Sequence, residues 1–328
     1  MTGKRLGLAL GSGAARGFAH IGVLKVLDRV GLAIDMVAGT SIGALIGGAY
    51  AAGVTPSEME KMALSVDLRR LISLADIARP TTALINGARV AGFIRDVVGE
   101  RTFADLRMPF SCVAVDVADG QAVVLSEGDV ASAIRASLST PIIFAPVERD
   151  GRLLVDGAVM NPIPVDAVWS MGADRVVAVT NQGIPSSQIP TFSNGAPDGS
   201  IEVGRAKREG SPEIVYSRVF TAVMDTLRSP SVFQLAMGSI DLMQRELSEP
   251  QLRAADLVIA PHIDGVAHYS FYEADKLISA GEEAAEAAVG EIAALLARDC
   301  DEPAESGGLG REVRQVDADG GALCAALF

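Results

Sequence analysis

A serine lies between two glycines in the segment Gly39-Thr40-Ser41-Ile42-Gly43. A strand-like segment, 34–38, precedes these residues, and a helix rich in small residues is expected from Ser41 to about Ala52. Between a strand and a helix, small neighbours such as Gly39 and Gly43 allow the sharp, strained turn that exposes a serine Oγ. The N-terminus of the helix also favours the negative charge that develops during acyl transfer. The pattern predicts Ser41 as a nucleophile, and the alternative is a small-residue turn that happens to contain serine.

A candidate base for this serine is Asp156. It follows the strand-like pair Leu153-Leu154 and precedes Gly157, so its carboxylate is expected at one end of a strand. A carboxylate in that position could accept the serine proton. Asp-Gly is also an ordinary turn sequence. The motif alone leaves both interpretations open.

The histidines offer a second possible base. His20, His262 and His268 are the three histidines of the chain, and the order Ser41, Asp156, then His262 or His268 would suit an α/β-hydrolase triad. In that fold several strands precede the nucleophile turn, whereas only two strand-like runs precede Ser41. This difference favours a base other than histidine and keeps the triad as an alternative.

A glycine-rich loop, Gly11-Ser12-Gly13-Ala14-Ala15-Arg16-Gly17, follows the first strand-like run. Loops after neighbouring parallel strands lie side by side, so we expect this loop beside the Ser41 turn, where its N–H groups could form an oxyanion hole. The glycine spacing also fits a loose dinucleotide-binding loop. Such a loop needs an acid at the end of the second strand, but Asp35 stands at the start of that strand. We therefore favour the oxyanion hole.

Together these blocks resemble the bacterial branch of the patatin-like phospholipase family, over roughly residues 5–297. Two further blocks carry the resemblance: Ala136-Ser137 with Pro141, Phe144 and Pro146, and Asn161-Pro162-Ile163-Pro164. The resemblance implies an α/β protein with a three-layer α/β/α fold and a mostly parallel central sheet. It also implies a Ser–Asp dyad that hydrolyses acyl esters of phospholipids, lysophospholipids or related lipids, with no metal or cofactor.

The resemblance also implies roles for individual residues. Ser41 is the nucleophile, Asp156 of the Asp156-Gly157 motif is the base, and the N–H groups of Gly13 and Ala14 bind the oxyanion. Arg16 fixes the conformation of the loop, which also contains Gly11, Ser12 and Gly17. The family usually has glycine where Ala14 stands, and alanine there implies either a negative φ or an altered loop. A non-catalytic lipid-binding or regulatory module is the remaining alternative.

The alternation of strand-like and helix-like segments predicts one α/β domain over 1–298. Within it, the helical segment 56–107 could cap the site, and 181–215, rich in Gly, Pro and Ser, is interpreted as a mobile insertion. Residues 299–328 are expected to form a flexible acidic tail. A hairpin is expected around Asp119-Gly120, a long helix over 216–247 and a helix over 271–297.

Composition limits the functional classes. With 49% hydrophobic and 21% charged residues in 328, the chain can bury a large core, so it is globular. With 28 basic and 41 acidic residues its formal charge is −13, which excludes nucleic acid as a partner because phosphates would repel it. Its three cysteines are too scattered for a disulfide framework or a zinc site, and a reducing, cytoplasmic location is expected.

Membrane association is expected to be peripheral at most. The uncharged run 36–54 is long enough for a membrane span, but its five glycines favour a strand, a turn and a helix. The segment 56–107 contains eight of the 28 Lys and Arg residues and could contact a membrane surface transiently. The expected partner is a lipid or another acyl ester, and the oligomeric state stays open.

Overall fold

The computed structural model describes residues 4–66, 76, 83–181, 232–263, 265–266, 270–297, 315–316 and 322–323. Contacts divide the chain into two units, Met1–Gly183 with Gln244–Phe328, and Ile184–Met243. The sheet, both hydrophobic clusters and the candidate site belong to the first unit.

One sheet contains all the described strands. They are β1 (Leu6–Leu10), β2 (Met36–Thr40), β3 (Phe110–Asp116), β4 (Gln121–Leu125), β5 (Val147–Arg149), β6 (Arg152–Asp156), β7 (Arg175–Val179), β8 (Leu257–Ile259), β9 (Gln315–Val316) and β10 (Ala322–Leu323). Their order is β10-β9-β8-β7-β1-β2-β3-β6-β5, and β4 also pairs with β3. The central run from β9 to β3 is parallel, whereas β4, β5, β6 and β10 pair antiparallel. The predicted mostly parallel central sheet is confirmed.

Helices cover both faces of this sheet. The described helices of the chain are α1 (Ala19–Arg29), α2 (Ile42–Ala51), α3 (Pro56–Leu64), α4 (Ala88–Val98), α5 (Val130–Ser137), α6 (Val165–Ser170), α7 (Val232–Arg253) and α8 (Ala274–Ala297), with 3-10 turns at Ala14–Phe18, Phe103–Asp105, Gly157–Val159 and Phe271–Glu273. Side chains alternate along β1: Leu8 and Leu10 pack in the cluster with α1, α2 and α8, and Ala9 packs in the cluster with α6. The predicted three-layer α/β/α arrangement is therefore confirmed.

Two segments differ from the sequence-based expectation. Between α5 and α6 only the pair Leu153-Leu154 was interpreted as strand-like, but this stretch contains both β5 and β6, joined by a tight turn in which Asp150 and Gly151 have positive φ. The long helix continues past residue 247 to Arg253, with Pro250 inside it. Its last turn is held by side-chain contacts that outweigh the proline: the Ile163 N–H donates to Gln251 Oε1, and Trp169 Nε1 donates to the Ala254 carbonyl.

The structure describes parts of the predicted cap, insertion and tail. In 56–107, α3 and α4 pack on the larger cluster through Met59, Ala63, Ile94 and Val98. The predicted insertion 181–215 lies outside the described residues, apart from Asn181. Within 299–328 only β9 and β10 are described, and they extend the sheet beyond β8. The domain boundaries stay predictions.

The run 36–54 folds as β2, a turn and α2, as expected. Among the described helices, none combines the length and apolarity that a membrane span requires.

Candidate active site

Ser41 occupies the turn between β2 and α2. Its backbone has φ 57° and ψ −122°, a region that L residues rarely adopt, and the side chain is buried. The turn depends on close backbone approach, since a Cβ on Gly43 would lie 2.2 Å from the Leu10 carbonyl oxygen at the end of β1. The Ser41 N–H donates to Ser137 Oγ at 2.9 Å. The sequence-predicted elbow with Gly39 and Gly43 thus places the serine hydroxyl at the carboxyl ends of parallel strands.

Asp156 lies beside this hydroxyl. It ends β6, which pairs with β3, the neighbour of β2 in the sheet, and this register places its carboxylate next to the turn. Ser41 Oγ donates to Asp156 Oδ2 at 2.8 Å. The other carboxylate oxygen, Oδ1, accepts the Ala158 N–H at 2.9 Å, and Gly157 is buried against the Val113 carbonyl. The two residues that the sequence separates by 115 positions are therefore in direct contact.

The electrostatic environment makes Asp156 a stronger base than an exposed aspartate. Burial of the carboxyl raises its pKa, and the hydrogen bonds from Ala158, Thr140 and Ser41 oppose that rise. No ion pair involving Asp156 exists among the described residues. A buried carboxylate that is not neutralised by a cation can accept a proton from an adjacent hydroxyl.

The glycine-rich loop lies against the elbow. The Gly11 and Ser12 N–H groups donate to the carbonyls of Val179 and Pro162, at 3.0 and 2.9 Å. The next two N–H groups, of Gly13 and Ala14, donate to no acceptor within the described part of the chain. Gly13 has φ 146°, which favours glycine. Two free backbone donors in a loop that contacts the elbow through Gly11 and Gly17 can stabilise an oxyanion.

Ala14 departs from what its residue type implied. Alanine was expected to give either a negative φ or an altered loop, but its φ is 50°, in the left-handed region that glycine adopts easily. The Arg16 N–H donates to the Gly13 carbonyl at 3.1 Å and starts the 3-10 turn that holds this conformation. Of the two alternatives, the negative φ was wrong, because the turn outweighs the preference of alanine.

Replacing Ala14 with glycine should relieve this strain. We expect Ala14→Gly to leave the free energy of unfolding unchanged or raise it by up to about 1 kcal/mol, and to retain or increase ester hydrolysis. Thermal unfolding and initial rates on a short-chain p-nitrophenyl ester measure the two effects. A severe loss of activity in a folded variant would show that the loop needs alanine.

The side chains of Arg16 and His20 support the loop through contacts with backbone carbonyl groups. Arg16 Nε donates to the Val266 carbonyl at 2.8 Å, which ties the loop to the segment after β8. His20 is completely buried, with Nε2 2.7 Å from the Gly11 carbonyl oxygen and 2.7 Å from Asn181 Nδ2. Burial lowers the pKa of His20 to about 4, so its ring is neutral at pH 7. Gly17 packs against Ile42, next to the serine.

Of the three histidines considered as a possible base, the structure describes His20 and His262. Neither Ser41 nor Asp156 has a histidine hydrogen-bond partner within the described ranges. His20 contacts the loop backbone instead. His268 lies outside the described residues, so the triad alternative is left to experiment.

An apolar pocket of about 130 Å³ begins beside the elbow. Ile42, the residue after Ser41, forms part of its wall. The other lining residues come from the 3-10 turn before α1, from α1 to α4 and from the segment before α8, and all are apolar: Phe18, Ile21, Leu45, Ile46, Ala49, Met59, Met62, Ala63, Val66, Phe93, Val97 and Phe271. Such a pocket can hold a hydrocarbon chain.

Sequence reasoning missed Thr140. Its Oγ1 donates to Asp156 Oδ2 at 2.7 Å, so this oxygen accepts two hydroxyl groups. No motif signals the contact, because a turn after α5 brings the threonine back to β6. Groups of His, Cys, Asp and Glu with the arrangement of a metal site are absent from the described residues.

Part of the chain matches a known protein family. Residues 8–169 match the family described as "Patatin-like phospholipase". Uncharacterized NTE family proteins of Mycobacterium tuberculosis and Mycobacterium bovis are 38% identical over 182 residues, 56% of this chain and 50% of theirs. The human patatin-like phospholipase domain-containing protein 6 is 33% identical over 200 residues, 59% of this chain and 14% of that protein.

The chain thus spans about half the length of the mycobacterial relatives that it matches and a smaller part of the human one. Among solved structures, VipD from Legionella pneumophila aligns with a TM-score of 0.41 at 15% identity, covering 87% of this chain and 66% of that one. The match over 8–169 includes the glycine-rich loop, the Ser41 elbow and the Asp156-Gly157 motif. The chain belongs to the patatin-like phospholipase family.

Proposed function

We propose that this protein is a serine acyl hydrolase that cleaves carboxylic esters of phospholipids, lysophospholipids or related lipids through an acyl-Ser41 intermediate. The observation that carries the proposal is the 2.8 Å hydrogen bond from Ser41 Oγ to Asp156 Oδ2. A nucleophile and a base at this distance, in a strained elbow, are what acyl transfer requires. Membership of the patatin-like phospholipase family supports the same reaction class.

In the first step, Asp156 Oδ2 takes the proton of Ser41 as Oγ attacks the ester carbonyl carbon. The carbonyl oxygen gains a negative charge, which the N–H groups of Gly13 and Ala14 and the N-terminus of α2 stabilise. Collapse of the tetrahedral intermediate breaks the bond to the alcohol. Asp156 returns its proton to the leaving alkoxide, and the acyl-serine ester remains.

In the second step, Asp156 accepts a proton from water, and the resulting hydroxide attacks the acyl-serine carbonyl. The same loop N–H groups stabilise the second oxyanion. Proton return from Asp156 to Ser41 Oγ releases the fatty acid and restores the enzyme. Every proton in the cycle passes through one carboxylate, so the reaction needs no histidine and no metal in this scheme.

The apolar pocket supports an acyl chain as the part of the substrate that the protein recognises. Its wall starts at Ile42, beside the nucleophile, and continues to α3 and α4. Since Met59 of α3 and Val97 of α4 line it, we infer that the segment 56–107 caps the acyl chain. Contact with a membrane surface through this basic segment and a cytoplasmic location both stay predictions.

Fatty acid release tests the proposal. The wild-type protein and Ser41→Ala are incubated with a lysophospholipid, a diacyl phospholipid and a short-chain p-nitrophenyl ester, and free fatty acid is measured by mass spectrometry. We expect release from at least one lipid by wild type and none by the variant. Binding of lipid vesicles without release from any substrate would favour the non-catalytic lipid-binding alternative.

Filling the pocket should change the preference for chain length. Ala63 is buried in the wall, and Ala63→Leu adds three carbon atoms to it. We expect the kcat/KM for a long-chain ester to fall about tenfold, the equivalent of about 1.4 kcal/mol, while that for a butyryl ester stays within about twofold. Equal losses on both esters would contradict the assignment of the pocket to the acyl chain.

A further inference from the structure

Asp156 is held by three donors, and two of them, the Ala158 N–H and the Thr140 hydroxyl, have no part in the proposed cycle. Oδ1 accepts the Ala158 N–H, whereas Oδ2 accepts both the Ser41 and the Thr140 hydroxyls, at 2.8 and 2.7 Å. Thr140 is half-buried, and its carbonyl accepts the N–H of Phe144 at 2.9 Å. The Asp156 N–H donates to the Ser139 carbonyl at 3.0 Å, which joins the turn to β6. The threonine hydroxyl is therefore fixed against the carboxylate from both sides.

A hydroxyl that donates to a carboxylate stabilises its ionised form more than its acid form. When Ser41 is acylated, Oγ has no proton to donate, so Oδ2 loses one of its two hydroxyl donors. Thr140 is the donor that stays on Oδ2 while water enters. This contact thus acts in both halves of the cycle, first by limiting the basicity of the carboxylate and then by keeping it oriented.

We propose that Thr140 is a positioning residue that keeps the Asp156 carboxylate ionised and oriented towards the reacting hydroxyl or water. The proposal rests on the proposed function, in which Asp156 is the base. Burial raises the pKa of Asp156 and Thr140 opposes that rise, in agreement with the geometry.

Nearby charges do not offer a competing explanation. The charged residues on the elements packed against Asp156 are Arg135 on α5, Asp116 on β3, Glu148 and Arg149 on β5, and Arg152 at the start of β6. Arg135 donates to Ser139 Oγ and to backbone carbonyls, and Arg152 pairs with Asp116. None of the three arginines forms an ion pair with Asp156 in the described structure. Hydrogen bonds, Thr140 among them, are what offset the burial of this carboxylate.

The test measures the pH dependence of Ser41 labelling by a fluorophosphonate in Thr140→Val, Thr140→Ser and wild type. Loss of the hydroxyl should move the acid limb of the labelling rate up by about one pH unit, and serine should restore the wild-type profile. Thr102→Val is the matched control, because Thr102 Oγ1 donates to the Asp105 carboxylate at 2.7 Å outside the site. Coincident pH profiles for wild type and Thr140→Val would overturn the proposal. A shift of the pH profile in Thr140→Ser as large as the shift in Thr140→Val would also overturn it.

A second measurement does not depend on activity. Because the folded pKa of Asp156 lies above its unfolded value, the folded state binds the extra proton, and stability falls as pH rises between the two values. In Thr140→Val this fall should extend to higher pH, and in Asp156→Asn it should be absent.

If wild type neither labels nor hydrolyses esters, the proposed function fails, and the unfolding curves still decide the Thr140 contact. Identical curves for Thr140→Val and wild type would then reject it. If Thr140→Val does not fold, Thr140→Ala is measured in its place.

Discussion

Replacing Ser41 with alanine is expected to reduce ester hydrolysis by a factor of about 10⁴ or more, a loss of at least about 5 kcal/mol of transition-state stabilisation. The change removes one oxygen, the atom that attacks the ester in the proposed cycle. Asp156 keeps two of its three donors, Thr140 and the Ala158 N–H, so the local structure should persist.

Circular dichroism and thermal unfolding provide the control for this variant. We expect a secondary structure identical to that of wild type and a melting temperature within a few degrees of it. Turnover of a short-chain p-nitrophenyl ester within tenfold of wild type would mean that another group attacks the ester, and the assignment of Ser41 would be wrong.

Asp156→Asn should cost about 10²- to 10⁴-fold in kcat/KM, since the amide has the size of the carboxyl group but cannot accept the Ser41 proton. The same change should not destabilise the fold. Burial raises the pKa of this carboxyl, so its ionised form costs stability at neutral pH, and a neutral amide removes that cost. A folded variant that is inactive at an unchanged or higher melting temperature is the expected result.

A residual rate within about tenfold of wild type would show that a different base operates. The pH profile of wild type gives an internal check, because activity should fall as pH decreases through the pKa of Asp156. A profile that is flat down to pH 4 in a folded protein would conflict with a base whose pKa is raised.

The parts of the fold that position the site were predictable because they follow local rules. The short apolar runs that became β1 and β2, each followed by a glycine-rich turn and a helix, carry the periodicity of a βαβ unit in the sequence itself. Parallel neighbours bring their following loops together, so the contact of the glycine-rich loop with the elbow followed from topology alone. The contact between Ser41 and Asp156 could be expected from the family resemblance.

Other features depend on tertiary contacts that no local pattern records. The positive φ of Ala14 results from a turn that overrides the residue's own preference. Thr140 reaches Asp156 through a turn after α5 and through the antiparallel pairing of β6 with β3, and the sequence indicated the strand-like Leu153-Leu154 but neither the turn nor the pairing. The helix passes through Pro250 because Gln251 and the Ala254 carbonyl are held by partners distant in the chain.

The central claim, a Ser–Asp dyad without histidine, is tested most directly by mapping fluorophosphonate labelling in five proteins: wild type, Asp156→Asn, His20→Gln, His262→Gln and His268→Gln. Peptide mass spectrometry locates and quantifies the adduct, with circular dichroism as the control for folding. The account predicts an adduct on Ser41 in wild type, a rate lower by about 10²-fold or more in Asp156→Asn, and rates close to wild type in the His262 and His268 variants. His20→Gln is expected to slow labelling modestly through the loop. Loss of the adduct in His262→Gln or His268→Gln, with the fold retained, would contradict the dyad and favour a Ser–His–Asp triad.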